Sequence, residues 1–444
     1  MGRYVKQGST SSAGGTTRSS QEKTEWILWR NLKNLDFIVL CGMIFLLGTG
    51  FSIIYSITSV LLYNNLPKDP DPYYFVIKQG IGVVLGIVGS LFVLSLPYKL
   101  LKSLSGLAFG INIVLLIITL LIGGGPGGVR SWIDLGPLSL QPAELVKIGL
   151  VLAIAWFISN HRSYFRHLTF GELCTLWLKP VPLRQKFKRY FFSPWGMLAY
   201  TALVLLLIML QPDLGTGLIV MGSGIVMVLC SGLQLKTLRL ILIILCVAFG
   251  GVWSVKDVIL HGHQLDRLLV WKQPFAYEKD LGYQNIGGYT AIALGGLEGS
   301  GLGNGIQKYG YVAEPHNDFV VSIVAEELGV LWVLLMIGVY FLITIRIMSR
   351  AFHTKDMYAS LVCIGLGSSF VLQVIINLGG VSGTIPLTGV TLPFVSYGGT
   401  SVLTTFLLLA VYFNVNSQIR EENKAYRERE RLKRYEDKLS VLRD

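Results

Sequence analysis

A carboxylate stands where a polar stretch runs straight into a membrane-length apolar one, in YVAEPHNDFVVSIVAEELGVLWVLLMIGVYFLITI. Asp318 occupies the junction, and Glu326 and Glu327 follow about two helical turns further in. An ionised group in hydrocarbon costs roughly 3 kcal/mol on insertion scales, so each acid needs a partner or a purpose. A carboxylate at such a threshold can take a proton from a substrate. A second acid–base set lies in GGGPGGVRSWIDLGPLSLQPAELVKIGL, where Glu144 and Lys147 share a helix face at i, i+3 behind Pro142, a natural first-turn residue. These two either pair with each other or together face a polar cavity. Another acid, Asp213, sits in LQPDLGTG at the end of an apolar run.

The elements that must position these groups follow from composition. The chain is 444 residues long, 52% hydrophobic and 14% charged, with mean hydropathy +0.57. Soluble proteins carry about 25% charged residues. Apolar runs long enough to cross about 30 Å of hydrocarbon as helices recur at roughly 36–61, 75–97, 104–123, 143–159, 197–211, 214–232, 238–256, 319–345, 357–377 and 398–416. The expectation is an all-α polytopic membrane protein of about ten transmembrane helices.

With the N-terminus inside, the inner segments hold 29 of the 38 basic residues. That bias places the N- and C-termini in the cytoplasm, and the net charge of +12 then reports topology and contact with anionic headgroups rather than nucleic acid. Residues 1–33 read as a disordered cytoplasmic tail, 34–418 as the membrane domain, and 419–444 as a charged, solvated helical tail. No cleavable signal sequence is visible. The five cysteines show no paired spacing, so neither a disulfide framework nor a metal cluster is suggested.

Three outer segments carry the remaining information. The RSWIDLG stretch holds Arg130 and Trp132, and a long extracellular loop at about 257–318 holds Arg267. The third, NLGGVSGTIPLTGVTLPFVSYGGTS, is broken by proline and glycine. Irregular backbone at membrane depth survives only when buried or lining a wet cavity. These segments and the LQPDLGTG turn therefore converge on one polar cavity that opens outward. GSGLGNG carries the spacing of a dinucleotide motif, but no strand precedes it, so that reading is rejected.

RSWIDLGPLSLQPAELVK, LQPDLGTG, GYQNIGGYTAIALGGLEGSGLGN, EPHNDFVVSIVAEELG and GTIPLTGVTLPFVSYGGTS, in this order, closely resemble the motifs of the FtsW/RodA (SEDS) family from about residue 33 to 418. The resemblance implies the ten-helix SEDS fold in a bacterial cell membrane. It also implies a peptidoglycan glycosyltransferase that polymerises lipid II on the outer face and releases undecaprenyl diphosphate. A class B penicillin-binding protein that crosslinks the strands, with other division or elongation proteins, would be its partner. By motif, Asp318 matches the family's essential acid and Glu326 the first acid of E-E-L-G, while Trp132, Glu144 and Lys147 match functionally sensitive positions. Asn317 replaces the family's common threonine. GLGNGIQKYGYVAE leans towards the FtsW-like division branch rather than elongation or sporulation.

Joining two sugars requires deprotonation of an acceptor hydroxyl while a diphosphate departs. Asp318 is the expected general base, with its pKa expected to be lowered by neighbouring backbone N–H groups at the helix N-terminus. Arg130, Lys147 and Arg267 are candidates to neutralise the leaving group. A divalent cation near Asp318 is compatible with this chemistry, but no ligand cluster requires one. A lipid II flippase, or a non-catalytic scaffold of the division or elongation machinery, is the alternative reading of a charged broken-helix cavity.

Overall fold

The computed structural model describes residues 26–65, 73–125, 130–134, 139–162, 193–241, 263–277 and 282–441, with isolated residues at 136, 182, 184, 191 and 243. Helices occupy nine of the ten expected span positions among these residues, and most of the run at 238–256 lies outside them. In chain order they are α1 (Phe37–Asn65), α2 (Tyr74–Ser95), α3 (Tyr98–Leu104), α4 (Ala108–Ile122), α5 (Pro142–Asn160), α6 (Pro194–Met209) and α7 (Leu214–Leu229). After them come α8 (His263–Lys272), α9 (Tyr283–Gly295), α10 (Val320–Ser349), α11 (Met357–Val381) and α12 (Gly399–Val441). Six of them (α1, α2, α5, α10, α11, α12) are long and apolar enough to cross a membrane alone. The α3–α4 pair, bent by 55°, makes a seventh crossing, and α6 and α7 are shorter apolar helices.

Local sequence sets where these helices begin. Pro142 and Pro194 start α5 and α6 at positions where a missing N–H costs nothing. Ser193, Asp213 and Asp356 cap α6, α7 and α11, each accepting a backbone N–H from the first turn.

The bundle is layered by burial. In α12, α11 and α5, 83%, 78% and 72% of the most apolar stretch is buried, against 17% in α2, so the first three form the centre and α2 lies on the outside of the bundle. The inner edge of α2 still packs tightly on α12. Gly82 and Gly86 lie so close to Gly399 and Phe406 that a Cβ at position 86 would fall 2.7 Å from the Phe406 ring.

Three regions differ from the sequence expectation. Residues 26–33, expected within a disordered tail, are helical. Asn31 donates to the Leu94 carbonyl at 2.7 Å and Asn34 to Ser417 and Glu421, so this stretch is tied to the bundle's inner end. The stretch 257–318, expected as one long loop, contains α8 and α9. The run at 319–345 is one helix interrupted at Gly329, which adopts φ 86° and ψ 163°, a conformation open chiefly to glycine.

That interruption is spliced by the preceding chain. The N–H groups of Val330 and Leu331 donate to the carbonyls of Gly296 and Leu297, and the carbonyls of Glu326 and Glu327 accept from Ser300 and Gly301. These four backbone groups at the break are thus satisfied inside the protein, as hydrocarbon demands.

Candidate active site

A cavity of about 1270 Å³ opens between six chain segments. A two-residue hairpin, β1 (Ile133–Asp134) paired antiparallel with β2 (Ser139–Leu140), forms one wall, with Trp132 bridged to Gly124 beside it. The others are α8, the start of α9, the chain entering α10, and the broken stretch 387–401; Lys78 of α2 completes the lining.

Asp318 lies in this lining and is only 9% exposed. Asn377 of α11 fixes its position, with one amide N–H group donating to both the Asp318 carbonyl (2.9 Å) and the Val390 carbonyl (2.7 Å). Burial pushes the Asp318 carboxyl up to about 6, and the nearby Glu314 charge adds to this. Its own N–H, that of Phe319 and the charge of Arg267 pull the other way but do not overcome burial. The expected lowering by the helix start is therefore reversed: two backbone donors do not replace the water lost from a carboxylate.

Arg267 and Trp132 also line the cavity. Trp271, one turn on from Arg267, donates its indole N–H to the Gly383 carbonyl at 2.9 Å and so pins α8 against the end of α11.

The other expected residues fall outside the lining. Lys147 donates to Glu144 (2.8 Å) and Gln373 (2.8 Å), and Glu144 accepts from Thr404 (3.1 Å). Both ends of the pair are buried, so Lys147, expected as a partner of the leaving group, is already neutralised within the bundle. Arg130 is exposed beside the hairpin. Glu326 accepts the N–H groups of Ile306 (2.6 Å) and Gln307 (3.1 Å) and holds the loop before Asp318. Asp213 accepts from Thr216 (3.0 Å) and from Gln141 (2.7 Å), itself a lining residue, so it acts one layer back.

The structure adds a partner for Glu327, and two cavity residues, that sequence reasoning passed over. Glu327 receives a fully buried Lys308 at 2.6 Å, and Lys308 also donates to Ser56 of α1 and to the Gly303 carbonyl. Lys78 and Glu314 line the cavity. Lys78 carries a sequence signal, an intramembrane charge with no acid three or four positions away on its helix.

Known proteins of the same architecture fit this arrangement. Residues 37–421 match the FtsW/RodA/SpoVE cell cycle protein family. The chain belongs to that family. It is 34% identical over 412 residues to the probable peptidoglycan glycosyltransferase FtsW of Bacillus subtilis, covering 90% of this chain and 96% of the relative. It is 31% identical to the stage V sporulation protein E of the same organism, covering 86% and 96%. Among solved structures, the rod shape determining protein RodA of Thermus thermophilus superposes with TM-score 0.57 at 25% identity, covering 86% and 96%. A chain of a peptidoglycan synthase complex that coordinates polymerization and crosslinking superposes with TM-score 0.64 at 25% identity, covering 86% and 98%. The chain is thus a multi-pass membrane protein with the SEDS fold.

Proposed function

We propose that this protein is a bacterial-membrane peptidoglycan glycosyltransferase that polymerises lipid II, with Asp318 as its general base. The observation that carries the assignment is a buried carboxylate with a pKa near 6 on the wall of a large polar cavity, with Arg267 close enough to act on it electrostatically. A base of that strength is largely ionised at neutral pH yet still holds a proton well enough to remove one from a hydroxyl.

In the step, Asp318 accepts the proton of the acceptor GlcNAc 4-hydroxyl as its oxygen attacks the donor's anomeric carbon. The new C–O bond forms on the face opposite the breaking bond to the diphosphate, and the electron pair leaves with undecaprenyl diphosphate. The α linkage of the donor becomes β in the product. Arg267 faces the charge that develops on the departing diphosphate. Trp132 supports the wall on which the sugars lie, while Asp213, through Gln141, and Glu326, through the 306–307 backbone, hold the surroundings in place.

A class B penicillin-binding protein that crosslinks the product is the partner we assign. The resemblance to a chain of a synthase complex that joins polymerization to crosslinking supports this. The leading relatives carry the FtsW name, which favours a role in cell division.

Labelled lipid II incubated with the purified protein and its transpeptidase tests the assignment. Wild type makes glycan strands and Asp318→Asn does not. Strands from Asp318→Asn at the wild-type rate would remove Asp318 as the base.

A further inference from the structure

Four basic side chains in the outer half of the bundle form two contrasting pairs. Lys147 and Lys308 are buried against Glu144 and Glu327 at 2.8 and 2.6 Å. Lys78 and Arg267 line the cavity and, among the described residues, neither lies within ion-pair distance of a carboxylate. Lys78 donates to the Tyr74 hydroxyl at 2.5 Å and sits 4.4 Å from the centre of that ring. These contacts steady an ammonium group, but the Tyr74 hydroxyl and ring bring no negative charge to offset it. An unpaired cation at membrane depth marks a place for an anion.

Lys78 and Arg267 stand on different elements, α2 and α8, and the reaction proposed above uses two lipid diphosphates. Arg267 lines the same cavity as Asp318, and its charge acts on that carboxylate. The donor's diphosphate belongs there, because it is bonded directly to the carbon under attack. The acceptor's own diphosphate lies a whole disaccharide away from the hydroxyl that reacts. Lys78 is on α2, the least buried of the six full-length spans, whose neighbouring Ile77, Ile81 and Val84 face outward. A polyprenyl chain can remain in the bilayer along that face while its headgroup reaches Lys78.

We propose that Lys78 is the anchor for the acceptor lipid's diphosphate, a second anionic subsite separate from that of Arg267. The proposal rests on the glycosyltransfer reading for its naming of donor and acceptor, but the subsite itself is a statement about binding.

The test is titration of radiolabelled undecaprenyl diphosphate into the full-length protein in phosphatidylcholine nanodiscs. Wild type and Lys78→Arg bind two equivalents, while Lys78→Gln and Arg267→Gln each bind one at wild-type affinity and the other at least about tenfold more weakly. Two equivalents at unchanged affinity in Lys78→Gln would overturn the proposal. So would displacement from Lys78 by phosphatidylglycerol at equal mole fraction, which would make this a general anionic-lipid contact. A measurement free of any substitution uses wild type alone: undecaprenyl diphosphate protects Lys78 from an amine-acetylating reagent, read by mass spectrometry, and equal labelling with and without it would also refute the subsite. In polymerisation, Lys78→Gln raises the KM for lipid II about tenfold and changes kcat less. If wild type binds two equivalents and Lys78→Gln one, yet wild type makes no strands, the subsite stands and the glycosyltransfer reading falls.

Discussion

At the C-terminal end of α10, Arg346 and Arg350 donate to Asp36 at 3.3 and 3.1 Å, and Tyr412 of α12 adds a third donor at 3.2 Å. At its N-terminal end, Asp318 is buried nearly as deeply, with backbone N–H groups but no cation at ion-pair distance among the described residues. Burial raises the pKa of both. At Asp36 the Arg350 hydrogen bond and the Arg346 and Arg350 charges more than reverse that rise and hold it below the ordinary carboxylate value, while Asp318 stays near 6. The difference lies in the partners and in how completely each carboxyl is removed from water. A carboxylate surrounded by guanidinium groups fastens three helices and has no use for a proton, whereas one left short of cations can exchange a proton at neutral pH.

Exchanging either acid should separate chemistry from stability. Asp318→Asn is expected to lower polymerisation about a thousandfold while the protein remains folded, measured as strand length and rate from lipid II. Asp36→Asn should do the opposite. It strands Arg346 and Arg350 without their counter-charge and should cost roughly 3 kcal/mol, at the low end for a broken buried pair because both arginines are partly exposed. Thermal unfolding in detergent would show this, with activity per folded molecule unchanged.

Arg267→Gln sharpens the contrast. It should slow turnover some tenfold to a hundredfold by removing a charge from the departing diphosphate. It should also move the acid limb of the pH–rate profile upward, because the Arg267 charge now favours ionised Asp318. In wild type that limb should rise through pH about 6, since the base works only when deprotonated.

The smallest effect concerns stability. A carboxyl whose folded pKa is raised favours the folded state below its unfolded pKa, and that advantage is lost as pH climbs through about 6. Asp318→Asn should therefore raise the unfolding midpoint at pH 7.5, by the equivalent of about 1–2 kcal/mol, with the gain vanishing near pH 4. The Asp36 contribution has the opposite sign: present above its unfolded value and lost as pH falls through its depressed folded one.

Much of this arrangement could be read before any coordinates. Pro142 placed the start of α5, and the junction of polar and apolar sequence singled out Asp318. Glu144 and Lys147 were legible as neighbours on one face, but their spacing served a cavity as well as a closed pair. Gln373 and Thr404, from helices more than two hundred residues away, close the pair. The break at Gly329 was hidden because GVLWVLL continues an apolar run, and its cost is met by hydrogen bonds from residues 296–301.

The sequence by itself determined that the chain spans a membrane, where most of its helices lie, and which acid stands at a helix threshold. These properties are local: twenty apolar side chains in a row partition into lipid whatever surrounds them. Only the tertiary structure decided that Lys147 and Lys308 are neutralised while Lys78 and Arg267 line the cavity with no ion-pair partner among the described residues, and that Asp318 keeps a high proton affinity. Charge compensation and desolvation depend on which groups from distant spans come within a few ångströms, and helix packing alone fixes that.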